Sequence, residues 1–152
     1  MELSVLDLSD SRVAGELLQL QRRAYSVEAA LIGSDRIPPL HESLAELQQS
    51  GETFVGAFVA GRLAGSVSWT FDGETIDLHR LVVDPSHFRK GTGAALVAAA
   101  IAANPDARRA IVQTGASNEP AKRLYLRAGF RLVDEVEPVP GVRVARFAKQ
   151  LS

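Results

Sequence analysis

"LHRLVVDPSHFRKGTGAALVAAAIAAN", residues 78–104, changes its hydrophobic period half-way along. As far as Asp84–Pro85 it reads as a strand. From Ala94 to Ala103 it has high helix propensity, and Asn104–Pro105 ends the helix. Between the two lie Gly91 and Gly93, preceded by Arg89 and Lys90. The first turn of a helix carries backbone N–H groups without intrahelical partners, and the macrodipole adds partial positive charge there. Glycines let an anion approach those amides, so a phosphate could sit at this helix start with Arg89 and Lys90 beside it. The plainer alternative is a pair of turn glycines joining strand to helix. No third glycine precedes the helix and no Gly-Lys-Ser/Thr follows, so neither the dinucleotide-binding fingerprint nor the P-loop fits.

Working outward, "LSVLDL" (3–8) is expected to form a first strand. A helix over 9–25 follows, with Ser9, Asp10 or Ser11 as its N-cap. Gly33 and Pro38–Pro39 make 32–43 a loop, and Leu40, Leu44 and Leu47 mark a second helix ending near Ser50–Gly51. Runs 53–60, 62–71 and 74–83 read as an antiparallel meander turning at Gly61 and Asp72–Gly73. Beyond the alanine-rich helix come a buried strand (108–115), a helix (118–130) capped by Asn118, and a hairpin closing across "VPG" (139–141). The strands around the alanine-rich helix predict a right-handed parallel crossover. The fold class is therefore α/β (α+β), a mixed and mostly antiparallel sheet of about seven strands with about four helices, in one domain.

The bulk properties narrow the function. The chain has 152 residues, 17 basic and 18 acidic, and a net charge of -1, which gives no nucleic-acid or membrane surface. It has no cysteine, hence no disulfide, thiolate metal site or cysteine nucleophile. The three histidines, His41, His79 and His87, lack paired ligand spacing, so no metal is expected. The amino terminus carries acids where a signal peptide has cations, and "GAALVAAAIAA" is about half a membrane span, so a cytoplasmic protein is expected.

The order "LVVDP", loop, "RKGTGAAL", helix, strand, "NEPAKRLYLRAGF" resembles the GCN5-related N-acetyltransferase (GNAT) superfamily. The family's loop motif, Gln/Arg-x-x-Gly-x-Gly/Ala, matches at Gly91 and Gly93. Its later Asn-x-x-Ala-x-x-x-Tyr-x-x-x-Gly-Phe helix matches at Asn118, Ala121, Tyr125, Gly129 and Phe130. The family's Gln/Arg position falls on Phe88, with Arg89 one place later.

The resemblance implies direct transfer of an acetyl group from acetyl-CoA to a primary amine, on a small molecule or a protein N-terminus or lysine, in a ternary complex without metal. It implies a cofactor site of Leu81, Val82, Val83, Phe88, Arg89, Lys90, Gly91, Thr92, Gly93, Ala94, Asn118, Ala121 and Tyr125. The backbone N–H of Val83, freed by a strand bulge, would stabilise the oxyanion, and Tyr125 would protonate the leaving thiolate. A non-catalytic acyl-CoA-binding module is the alternative of another class. Period-2 alternation puts Asp77, His79, Leu81 and Val83 on one face unless a bulge intervenes, which makes His79 either the general base or a histidine bonded to a neighbouring strand. Tyr25, Glu28, Asp35, Arg36 and Asp77 are polar candidates around the acceptor, with Glu28 the rival base. Family members are often dimers, so a homodimer is left open.

Overall fold

The computed structural model describes residues 1–32 and 41–152, apart from the side chains of residues 28, 31 and 32. Asp35 and Arg36, and the side chain of Glu28, thus lie outside the described part. The elements run β1 (Glu2–Val5), α1 (Ser11–Ile32), α2 (Leu44–Gln48), β2 (Thr53–Val59), β3 (Arg62–Phe71), β4 (Thr75–Val83), a 3-10 turn (Pro85–His87), α3 (Thr92–Ala102), β5 (Arg109–Gly115), α4 (Glu119–Arg127), β6 (Arg131–Val139) and β7 (Val142–Gln150). Among the described residues, seven strands form one sheet in the order β1-β2-β3-β4-β5-β7-β6, and only β4 and β5 pair in parallel.

Two boundaries differ from expectation for local reasons. β1 stops at Val5 because Asp7 folds the chain back, accepting bonds from the N–H and hydroxyl of Ser9. α1 runs past residue 25 because nothing breaks it before Gly33, and Asp10 accepts from the N–H of Arg12 at its start. α2 is short but closed by a capping box between Ser43 and Glu46. α4 ends in a Schellman motif. Gly129 lies at φ +94°, its N–H reaches the Leu126 carbonyl and the Phe130 N–H reaches that of Tyr125.

Each face of the sheet is covered by one helix pair. α1 and α2 pack Leu17, Leu20 and Leu47 with Phe54, Leu63 and Val82, whereas α3 and α4 pack Leu96, Val97 and Tyr125 with Val67, Trp69, Leu78 and Phe147. Burial of these side chains supplies the driving force for the layered arrangement, about 1.5–3 kcal/mol for each large residue.

Candidate active site

β4 organises the site. Its parallel ladder with β5 begins at Thr75↔Arg109 and ends at Leu78↔Val112, although both strands continue. Beyond Leu78 the two strands part, while β4 stays paired with β3 as far as Val83↔Gly65. The Asp84 N–H bonds the Ala64 carbonyl at 2.8 Å. Antiparallel alternation then directs the backbone polar groups of Val82 toward β3, and those of Leu81 and Val83 toward the opening between β4 and β5. Two of the three expected main-chain contacts, Leu81 and Val83, are therefore aimed into the cleft, and Val82 is turned away from it.

The bulge lies elsewhere than expected. The β3–β4 register shifts between Ser68↔Arg80 and Trp69↔Leu78, which leaves His79 as the extra residue. It also splits the expected common face. Leu81 and Val83 face α3, with Leu81 Cδ2 3.9 Å and Val83 Cγ2 3.8 Å from where a Cβ on Gly93 would stand. His79 faces the α1 side, its Nε2 2.8 Å from Thr70 Oγ1 on β3 and 4.0 Å from Asp77 Oδ2. Asp77 pairs with Thr70 and shares that side. Leu81 and Val83 thus stand on the face of β4 opposite Asp77 and His79, while the Val82 side chain packs on the α1 side.

The loop leaving β4 is braced by Asp84. Its Oδ1 accepts the N–H and hydroxyl of Ser86, and its Oδ2 accepts from the Arg23 guanidinium of α1 at 2.8 Å. Partial burial pushes the Asp84 pKa upward, but the bonds from Ser86 and Arg23 outweigh it and hold the carboxyl below its usual value. Phe88, Arg89 and Lys90 are exposed on this loop, and Arg89 sits at φ +64°.

Gly91 caps α3 in the left-handed conformation, φ +77°, with no side-chain cap bond and nothing within 4 Å of a built Cβ. The first-turn amides of Thr92, Gly93 and Ala94 have no partner within the helix. Gly93 has a different reason to be glycine: a Cβ there would stand 2.6 Å from Leu124 Cδ1 of α4. Gly91 gives access and Gly93 leaves room for the Leu124 side chain.

On α4, Asn118 is buried and accepts the Ala121 N–H at 3.2 Å, as expected of an N-cap. Tyr125 is 4% exposed, in edge contact with Phe130 and tilted against Phe147. Tyr25 is likewise buried, in the α1-side core. A shallow cleft of about 270 Å³ on the α1 side is lined by Thr70, Phe71, Asp72, Thr75, Asp77, Arg109 and Ile111.

One residue escaped the sequence reading. Arg80 is 9% exposed, and its guanidinium meets Glu42, Glu52 and Gln21 while lying 5.6 Å from the Phe54 ring centroid. Burial alone would lower its pKa, but the hydrogen bonds and charges of Glu42 and Glu52 raise it, so the charge is fixed. The available signal was an arginine at an apolar period, among Ile76, Leu78 and Val82. Among the described residues there is no group of three metal-ligating side chains, and no helix is long and apolar enough to cross a membrane.

A mostly antiparallel seven-stranded sheet whose parallel pair opens beside a glycine-capped helix is the GNAT acyl-CoA N-acyltransferase fold. The family model described as "Acetyltransferase (GNAT) family" matches residues 15–130, and the chain belongs to that family. It is 37% identical over 145 residues to UPF0157 protein YqkA of Bacillus subtilis (strain 168), covering 95% of this chain but only 42% of that protein. The chain therefore spans less than half the length of that curated relative. In fold it is similar to smu.2055 from Streptococcus mutans UA159 (TM-score 0.82, 20% identity, 100% of both chains). It is also similar to the ribosomal-protein-S18-alanine N-acetyltransferase of Escherichia coli (TM-score 0.77, 18% identity, 99% of this chain and 94% of that one). A third similar structure is the PaiA N-acetyltransferase of Thermoplasma acidophilum in complex with coenzyme A (TM-score 0.72, 18% identity, 99% and 100%).

Proposed function

We propose that these 152 residues form one acetyltransferase domain that moves an acetyl group from acetyl-CoA directly to a primary amine. The observation that carries this reading is the parting of β4 from β5 after Leu78↔Val112, which leaves the Leu81 and Val83 amides facing an opening beside the glycine-capped start of α3. In the proposed complex the pyrophosphate lies on the amides of Thr92, Gly93 and Ala94, with Arg89 and Lys90 adding charge. The pantetheine arm runs along Leu81, past Asn118 and Ala121, and Phe88 contributes apolar surface at the loop.

The amine comes from the α1 side of β4. Its nitrogen attacks the thioester carbonyl carbon, a C–N bond forms, and the carbonyl oxygen becomes an oxyanion held by the Val83 N–H. Collapse breaks the C–S bond, and the departing thiolate takes the Tyr125 hydroxyl proton. The nitrogen's surplus proton passes to His79, directly or through water, with Thr70 holding the ring and Asp77 beside it. Solvent returns a proton to Tyr125 and removes one from His79, so the turnover yields an amide and free CoA. The separation of the two faces by the His79 bulge supports this division between cofactor and acceptor sides.

A panel containing a polyamine, an aminoglycoside and a peptide with N-terminal alanine tests the reading, with released CoA as the readout. At least one amine should raise CoA release well above hydrolysis. Tight acetyl-CoA binding without amine-dependent release would instead assign the chain as an acyl-CoA-binding module.

A further inference from the structure

Arg80 stands next to the bulge, on the side of β4 assigned above to the acceptor, and its contacts are saturated. Nε–H donates to Glu52 Oε1 (3.0 Å), and Nη1 donates to Glu42 Oε1 and to Gln21 Oε1 (3.1 Å). Nη2 donates to Glu42 Oε2 (2.9 Å) and Glu52 Oε2 (3.1 Å). These acceptors engage every N–H of a guanidinium, which offers five donors in a fixed planar fork. They come from separate parts of the chain: Gln21 from α1, Glu42 from just ahead of α2 and Glu52 from just ahead of β2. Ser68 on β3, the residue opposite Arg80, adds its hydroxyl to Glu52 Oε1 at 2.6 Å.

Buried ion pairs give little net stability relative to well-packed apolar groups of similar size, because desolvation offsets attraction. What such a saturated fork does supply is geometry, since any displacement of Glu42 or of the β4 bulge unpairs a buried charge. We propose that Arg80 is a positioning residue: it locks Glu42, just ahead of α2, to the bulge that presents His79, and so fixes His79 on the acceptor side of β4. Cofactor contacts, on the other side of β4, do not depend on it. The inference rests on the acetyl-transfer reading for its kinetic consequence, and on the geometry alone for its structural one.

The test uses Glu42→Gln, Arg80→Lys and Arg80→Met in the full chain. KM for the amine that releases CoA fastest in the panel is measured alongside acetyl-CoA affinity by calorimetry. Amide hydrogen exchange is followed at residues 41–44 and at Arg80 and Val82. Glu42→Gln should raise amine KM about tenfold with acetyl-CoA affinity unchanged, and Arg80→Lys should recover part of what Arg80→Met loses. Exchange at both segments should rise together in Glu42→Gln. Equal losses of amine and acetyl-CoA binding, or unchanged amine KM in folded variants, would overturn the positioning role. Should wild type acetylate no amine, the acetyl-transfer reading fails by itself, and the exchange data still decide the lock: exchange that does not rise together at the two segments refutes it.

Discussion

Tyr125 is the proposed proton donor as well as a core residue, and one substitution separates the two. Its ring belongs to the α3–α4 core against Phe130 and Phe147, and Phe preserves that packing. Tyr125→Phe should therefore lower kcat by about 10²–10³ while leaving acetyl-CoA affinity nearly unchanged, the pattern of a lost proton donor. Steady-state kinetics with parallel calorimetry check it, and an unchanged kcat removes Tyr125 from the mechanism. Asp84 offers a pH test. Its folded pKa lies below its ordinary value of 3.8, so its stabilising contribution is complete above that value and is lost as pH falls through the folded pKa. Wild type should melt higher than Asp84→Asn near neutrality, and the difference should close below pH 3.8. A difference that persists in acid would show that Asp84 does not act through its charge. At this scale the sequence was informative where a residue's local chemistry sufficed: Asn118 caps α4 and Gly91 opens α3. Arg80 was not legible, because its partners Gln21, Glu42 and Glu52 lie 28 to 59 positions away and only the fold assembles them.

The elements themselves were legible where hydrophobic period and breakers agreed. The meander, the alanine-rich helix and the closing hairpin all fall near their expected places. The face assignments within β4 were not, since period-2 reasoning holds only for an unbroken ladder, and a single extra residue at His79 moves Asp77 and His79 to the side opposite Leu81 and Val83. Nothing in "DLHRLVV" marks where pairing slips; the slip is decided by the match to β3. The two glycines of the α3 start make a prediction at this scale. Gly91→Ala places a Cβ in the left-handed region, at a cost of about 1 kcal/mol, with the space around it open. Gly93→Ala displaces only the end of the Leu124 side chain. Thermal melts should show the larger loss for Gly91→Ala, because the end of the Leu124 side chain can swing aside at residue 93; a larger loss for Gly93→Ala would mean that Leu124 cannot yield.

At the scale of the molecule, sheet order and helix layers turn local features into a two-sided site. The crossover β4–α3–β5 brings a helix start to the edge of an opened parallel pair, and α4 lays Asn118 and Tyr125 alongside. The proposed amine acceptor was not legible in the sequence, because the segments expected to choose it, the first two helices, the loop at 25–42 and the turn near Pro138–Gly141, carry no recognisable code. The cofactor is the firmer expectation, and the account stands or falls on it. A titration with acetyl-CoA, followed by calorimetry and thermal melting, tests this most directly. Saturable one-site binding is expected, and at a hundredfold excess over Kd it should add about 2.7 kcal/mol, or roughly 5–10 °C in Tm for a chain of this size. Absence of both heat and thermal shift at saturating acetyl-CoA would contradict the account.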